Sequence, residues 1–130
     1  MGAVEIMSKA KPTEADIERY LVAQVKKIGG RAYKFVSPGN AGVPDRLVVL
    51  PYGVSYFVEL KAPGRKPTTL QRLQQERLAD LHFSVAGCVD SFDAVDFLIQ
   101  DAEWRIGKAA NGLMCEPYEG HEMEYELERM

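Results

Sequence analysis

Residues 44–61 read PDRLVVLPYGVSYFVELK and predict the centre of the fold. Two apolar segments, Asp45–Leu50 and Ser55–Lys61, are separated by a Pro-Tyr-Gly turn, which is typical of two strands in sequence. Side chains two residues apart on a strand share a face, so the second segment has one apolar face and one face that carries Glu59 and Lys61. If the two strands are hairpin neighbours, Asp45 and Glu59 approach each other near one end of the sheet.

Helical and strand patterns flank this pair of segments. Thr13, with Asp16 three residues later, predicts a helix start, and apolar residues recur at helical spacing until Gly29-Gly30. The other predicted elements are strands at 31–37 and 84–89, a helix from Thr68 or Thr69 to about Leu81, and a helix that begins after Ser91. The resulting order, α-β-β-β-α-β-α, predicts an α/β fold with a small mixed sheet.

Charge is unevenly distributed along the chain of 130 residues, whose length suits one domain. The formal net charge is −3, which by itself argues against a nucleic-acid partner. However, residues 26–77 contain ten basic and three acidic residues, whereas residues 101–130 contain three basic and eight acidic ones. The basic middle raises the odds of a polyanionic partner modestly, because a solvated basic surface is the commoner explanation.

Several classes of protein are disfavoured. No apolar run approaches the ~20 residues of a membrane span, and the N-terminus does not resemble a signal peptide. Cys88 and Cys115 match neither a zinc spacing nor a disulfide framework, which predicts a reducing, cytoplasmic location. We therefore expect no membrane partner.

Two adjacent carboxylates predict a metal site. Asp45 and Glu59 would repel each other unless a cation lay between them, and hard oxygen ligands suit Mg²⁺ or Mn²⁺. Such an ion activates water and neutralises charge on a phosphate, and Lys61 would assist either role. No serine or cysteine has a plausible activating partner, which disfavours a covalent mechanism. Each motif alone is weak, since E-x-K is commonplace; their order on adjacent strands is more specific.

The sequence resembles the VRR-NUC branch of the PD-(D/E)XK nucleases. The resemblance covers about Thr13 to Ile99 and is carried by three stretches: KFVSPGNAG at 34–42, GVPDR at 42–46 and FVELKAPG at 57–64, followed by Gln71. It implies a restriction-endonuclease-like αβββαβ core with a small mixed sheet flanked by helices. It also implies a metal-dependent endonuclease that uses Mg²⁺ or Mn²⁺.

The resemblance assigns roles to individual residues. It makes Asp45 and Glu59 metal ligands together with the Leu60 carbonyl, Lys61 the catalytic lysine, and Gln71 a residue that orients water or phosphate. A glutamate of the first helix also reaches the metal in this family, and either Glu14 or Glu18 fits that role. The candidate DNA-binding residues are Arg46, Arg65, Lys66, Arg72 and Lys34, of which Arg46 could instead brace Asp45.

The substrate and the assembly are expectations of the same resemblance. Stand-alone relatives are similar to Holliday-junction resolvases, so branched double-stranded DNA is the expected substrate, and symmetric cutting of a junction predicts a homodimer. The apolar third helix and the segment after it are the expected contact surfaces. Alternatives are a flap or nicking nuclease, a restriction-like enzyme, or a non-catalytic nucleic-acid-binding module.

The predicted domain organisation has three parts. Residues 1–12 lack periodicity and are expected to be a flexible arm, and residues 13–104 form the nuclease domain. The pattern fades beyond Trp104, so residues 105–130 are expected to be an acidic tail that packs on the domain or on a partner subunit.

Overall fold

A computed structural model describes residues 10–112, which form three helices and one four-stranded sheet. In chain order the elements are α1 (Glu14–Lys27), β1 (Arg31–Lys34), β2 (Arg46–Val49), a 3-10 turn (Pro51–Gly53), β3 (Ser55–Leu60), α2 (Thr69–Asp80), β4 (Val85–Val89) and α3 (Phe92–Ala110). The predicted element order and the α/β class are confirmed.

The sheet has the spatial order β1-β2-β3-β4 and is mixed, as predicted. The pairs β1–β2 and β2–β3 are antiparallel, whereas β3 and β4 are parallel. In the β2–β3 hairpin Arg46 lies opposite Val58, and continuing this register by one residue places Asp45 opposite Glu59. The hairpin therefore brings the two predicted carboxylates together.

One face of the sheet forms the hydrophobic core with α1 and α3. Tyr56, Val58 and Leu60 of β3 point into this core, as their alternation predicts. Their partners from the two helices are Ile17, Leu21, Val25, Val95, Leu98, Ile99 and Ala102. The opposite face of β3 carries Phe57 and Glu59 and is approached by α2, none of whose residues is buried. The sheet thus separates the core from the candidate site.

The last helix continues beyond the point at which its sequence pattern fades. It reaches Ala110 because Ala102 is buried and Ile106 packs against the core, while Arg105 donates to Asp101 and to Ser84. Trp104 is exposed on this helix, and the Lys108 ammonium lies over its ring.

The predicted arm and tail fall largely outside the described residues. Residues 1–9 and 113–130 are not part of the description, so the division of the chain into arm, domain and tail stays a prediction. Among residues 10–112, no helix is both long enough and apolar enough to cross a bilayer.

The end of α2 is closed by a residue in an unfavourable conformation. His82 has a φ of 68°, its amide donates to the Ala79 carbonyl, and the next amide, of Phe83, donates to the Leu78 carbonyl. This is a Schellman motif, in which glycine is the preferred residue at the left-handed position. A side chain there costs roughly 1 kcal/mol relative to glycine.

We expect His82→Gly to stabilise the protein because it removes this backbone penalty. The free energy of unfolding should rise by about 1 kcal/mol, which corresponds to a rise in Tm of roughly 4–8 °C for a domain of this size. Thermal unfolding followed by circular dichroism measures the change. His82→Ala is the control, since alanine keeps the Cβ and should give no gain; an equal gain from both variants would contradict the explanation.

Candidate active site

The Asp45 and Glu59 side chains meet at the end of the β2–β3 hairpin. Asp45 immediately precedes β2, and its Oδ2 accepts a hydrogen bond of 2.8 Å from the Leu60 amide of β3. This bond ties the first carboxylate to the strand that carries the second. The backbone of Asp45 is held as well, because the Phe35 amide donates to the Asp45 carbonyl at 2.9 Å. Asp45 is therefore fixed from both sides.

Glu59 is buried although it carries an ionisable group. The residue is 1% exposed, and its Oε2 accepts a hydrogen bond of 3.2 Å from Gln71 Nε2. The same oxygen lies 3.8 Å from the ammonium of Lys61. The other carboxyl oxygen, Oε1, is buried and, among the described residues, has no hydrogen-bond partner. A buried oxygen without a donor is costly, so this atom calls for a ligand that these residues do not supply.

The electrostatics of the site disfavour a charged Glu59. Burial, followed by the close approach and negative charge of the Asp45 carboxyl, raises the pKa of Glu59 from 4.5 to about 8. Lys61 acts in the opposite direction but does not offset these effects, and the charge of Glu14 raises this pKa further. A bound cation would reverse the balance because it favours both ionised carboxylates.

The residues present fit a hard divalent cation. The two adjacent carboxylates and the unpartnered Glu59 Oε1 are the kind of oxygen ligands that Mg²⁺ and Mn²⁺ prefer. Among residues 10–112, no three acidic, histidine or cysteine side chains converge closely enough to form a complete cluster. An ion held by Asp45 and Glu59 would therefore complete its shell with backbone oxygen, water or substrate, which is the usual behaviour of Mg²⁺.

Gln71 contacts Glu59 and also caps the start of α2. Its side-chain oxygen Oε1 accepts a hydrogen bond of 2.8 Å from the backbone amide of Thr68, and its backbone amide donates to Thr68 Oγ1 at 3.1 Å. These two bonds form a capping box at the start of α2. This leaves Nε2 to donate to Glu59. Gln71 therefore fixes the position of the Glu59 carboxylate through the helix cap.

The loop before Asp45 is packed tightly against the start of α2, a contact that the sequence analysis missed. Gly42 has a φ of +86°, and a Cβ at this position would lie 2.9 Å from Leu70 Cγ and 3.2 Å from the Gln71 amide nitrogen. Gln74 Nε2 donates to the Ala41 carbonyl at 3.1 Å. Only the glycine-rich composition of the loop hinted at this close approach. The contact positions Gln71 beside the two carboxylates.

The two glutamates of α1 have separate surroundings. Glu14, in the first turn, is close enough for its charge to act on Glu59. Glu18 instead pairs with Arg46, whose Nε lies 3.0 Å from Glu18 Oε2, while Arg46 Nη1 donates to the Ala32 carbonyl at 2.9 Å. Arg46 thus joins α1 to β1 rather than bracing the Asp45 carboxylate. The sequence could not show this pairing, since 28 positions separate the two residues.

The other candidate DNA-binding residues are exposed. Arg65 and Lys66 lie in the loop after β3, Arg72 lies on α2, and Lys34 ends β1. The loop itself is ordered by a turn in which the Arg65 amide donates to the Ala62 carbonyl at 3.0 Å. These four side chains are therefore accessible to a polyanion that approaches this part of the domain.

Two comparisons with known proteins point to the same family. The chain is 55% identical over 85 residues to the "Putative nuclease p44" of Acyrthosiphon pisum secondary endosymbiont phage 1, a match that covers 65% of this chain and 90% of that protein. It is also similar to a solved structure described as "VRR_NUC domain", with 35% identity and a TM-score of 0.63 over 68% of this chain and 97% of that one. No family model matches the chain.

The raised pKa of Glu59 predicts a pH-dependent stability. Below pH 4.5 the side chain is protonated in both the folded and the unfolded protein; between pH 4.5 and 8 only the unfolded state releases the proton, so stability falls as the pH rises. We expect Glu59→Gln, which stays neutral, to raise the Tm of the metal-free protein relative to wild type by an amount that grows from pH 5 to pH 9.

Thermal unfolding in the presence of a chelator measures this difference. The matched control is Glu103→Gln, since Glu103 is exposed on α3. Its Tm should follow that of wild type across the pH range. A Glu59→Gln difference that is constant with pH would show that the folded protein tolerates the charged carboxylate.

Proposed function

The chain belongs to the VRR-NUC nuclease family, and from this premise we propose that it is a metal-dependent, structure-specific DNA endonuclease of the Holliday-junction resolvase type. The observation that carries the proposal is the buried Glu59 carboxylate, which lies beside Asp45 and Lys61 and has one unpartnered oxygen among the described residues. Such a site is unfavourable alone and becomes favourable with a divalent cation.

Each residue of the site has a defined part in this proposal. Asp45, Glu59 and the Leu60 carbonyl would hold Mg²⁺ or Mn²⁺, and Glu14 of α1 would add negative charge beside them. When bound, such an ion supplies a Lewis acid that lowers the pKa of a water molecule and neutralises phosphate charge. Lys61, whose ammonium lies 3.8 Å from Glu59 Oε2, would donate to the attacking water or to an oxygen of the scissile phosphate. Gln71 keeps Glu59 oriented throughout.

Contacts to the DNA backbone are assigned to the exposed basic residues of the domain. Arg65, Lys66, Arg72 and Lys34 would bind phosphates, which positions a duplex without specifying its sequence. Arg46 is left out because Glu18 and the Ala32 carbonyl occupy its guanidinium. Contacts that are confined to phosphates favour recognition of DNA shape, and hence of branched DNA, over recognition of base sequence.

A homodimer would supply the two active sites that symmetric cleavage of a junction requires. The exposed apolar side chains of α2 and its C-terminal end provide a surface for the contact: Leu70, Leu73 and Leu81. Trp104 of α3, the helix expected to mediate the contact, is also exposed. Large exposed apolar patches mark interaction sites in soluble proteins.

Cleavage of synthetic DNA tests the proposed function. We expect the wild type, with Mg²⁺ or Mn²⁺, to introduce symmetric nicks into a four-way junction and to prefer it to a flap, a nicked duplex, a linear duplex and a single strand. Glu59→Gln and Lys61→Ala should each lower the rate by at least about a hundredfold, because the first removes a charged ligand of the proposed metal ion and the second removes a positive charge from beside the reacting phosphate. A chelator should abolish cleavage.

Two controls accompany this experiment. Glu103→Gln and Lys108→Ala change the same residue types on α3 and should cleave at the wild-type rate. Preference for a flap or for linear duplex would replace the resolvase assignment by one of the other nuclease types. Full activity of Lys61→Ala would show that the active site is wrongly assigned.

The phosphate contacts can be tested by the salt dependence of binding. We expect Arg65→Ala combined with Lys66→Ala to weaken binding to all DNA substrates alike, and to reduce the slope of log K against log salt by about one for each phosphate that is no longer neutralised. Fluorescence anisotropy with Ca²⁺ in place of the catalytic ion measures this slope. Lys27→Ala, at the end of α1, is the control and should leave the slope unchanged.

A further inference from the structure

An open groove runs along the outer edge of β4, between that strand and α3; we call it the β4 groove. Its larger cavity has a volume of about 610 Å³, and an adjoining cavity of about 260 Å³ shares Phe83, Ser84 and Arg105 with it. Within residues 10–112, no strand pairs with this edge of β4. The groove therefore combines backbone groups of an unpaired strand edge with a largely apolar lining.

The rim of the groove is apolar and exposed. Phe97 on α3 is 74% exposed and Phe83, just before β4, is 52% exposed. Unpaired strand edges and exposed aromatic side chains favour association, and proteins generally cover them. Something beyond the described residues is therefore expected to occupy the groove.

The described chain ends at one end of this groove. Ala109 lines the smaller cavity, and Gly112 is the last described residue, only three positions further on. The next residues, 113–118, read LMCEPY. Extended, six residues span about 20 Å, whereas the strand from Ser84 to Val89 spans about 17 Å. The following segment thus begins at the right place and has the right length to run along β4.

We propose that residues 113–118 of the same chain occupy the β4 groove. Leu113, Cys115 and Pro117, which share one face of an extended segment, supply apolar side chains for the cavities, and the segment's backbone pairs with the outer edge of β4, as in β-strand addition. Pro117 is compatible with this position, because proline is tolerated in an edge strand.

Charge complementarity supports the direction of the segment. The far end of the groove is lined by Cys88, whose thiol lies 3.5 Å from the Arg65 carbonyl. Burial and then the negative charge of Asp90 raise the pKa of this thiol, and the nearby positive charges of Lys66 and Lys61 oppose the shift. A segment running from Gly112 to this end brings Glu116 towards Lys66, and five more glutamates follow the segment, up to residue 128.

A consequence for DNA binding follows and rests on the proposed function. Arg65 and Lys66 are proposed phosphate contacts, so glutamates held beside them occupy the positions that DNA phosphates need. The docked segment then lowers the affinity of the protein for DNA, most strongly at low salt.

Disulfide trapping in the full-length chain tests the docking. Cys88→Ser leaves Cys115 as the single cysteine, and Ser84→Cys then adds a thiol where the two cavities meet. Under mild oxidation with oxidised glutathione, we expect an intramolecular disulfide in most of the protein, seen as a monomer of altered mobility on non-reducing gels. Phe83→Cys in the same background is the second variant, should removal of the Ser84–Arg105 hydrogen bond impair folding.

The control variant carries the added cysteine elsewhere. Arg19→Cys in the Cys88→Ser background places a thiol on the exposed side of α1 and should trap little monomer. Disulfide-linked dimers from the Ser84→Cys and Phe83→Cys variants would show that a second copy fills the groove and would overturn the proposal. Equal trapping by the Arg19→Cys variant, or none by either groove variant, would also overturn it.

The same trapped protein tests the effect on DNA. We expect the oxidised form to bind a labelled four-way junction about tenfold more weakly at low salt than after reduction, and the Arg19→Cys variant to be unaffected by reductant. Equal affinity before and after reduction would overturn the competition with DNA. Absence of DNA binding in both states would instead contradict the proposed function, while the trapping result would still decide the docking.

Discussion

The buried Glu59 carboxylate is the constraint on which the rest of the site depends. An acidic group that is 1% exposed and next to a second carboxylate is unfavourable, and its pKa of about 8 expresses that cost. The surrounding contacts reduce this cost, because Gln71 donates to one oxygen of Glu59 and Lys61 provides a nearby positive charge. The Leu60 amide holds Asp45 in place. The other oxygen has no partner among the described residues, which suits a cation in a nuclease of this family.

The fold supplies the rigid frame that such a site needs. The antiparallel register of β2 and β3 sets Asp45 opposite Glu59, while the other face of β3 is anchored in the core by Tyr56, Val58 and Leu60. The helix α2 adds Gln71 from outside the core, and its start is held by the capping box and by the close approach of Gly42. Because side chains alternate between the two faces of a strand, β3 contributes to the hydrophobic core on one face and carries Glu59 on the other.

Charge is also divided between parts of the chain. The basic middle of the sequence belongs to the part of the chain that folds around the active site, whereas the last thirty residues carry eight acidic side chains. A net charge of −3 therefore says little about the surface that meets DNA. Docking of residues 113–118 in the β4 groove would let the two parts of the chain act on each other, through Lys66 at its far end.

The sequence by itself determined the order of elements, the core face of β3, and the pairing of Asp45 with Glu59, because strand periodicity, turn residues and caps are local signals. It also indicated the family. Only the tertiary structure decided which residues contact each other: Arg46 pairs with Glu18, and Gln71 donates to Glu59. It also decided that the start of α2 packs closely against Gly42. The length of α3 was also decided by the tertiary structure, since this helix continues to Ala110 because Ile106 packs against the core. These outcomes depend on distances between residues far apart in sequence, and no local pattern encodes them.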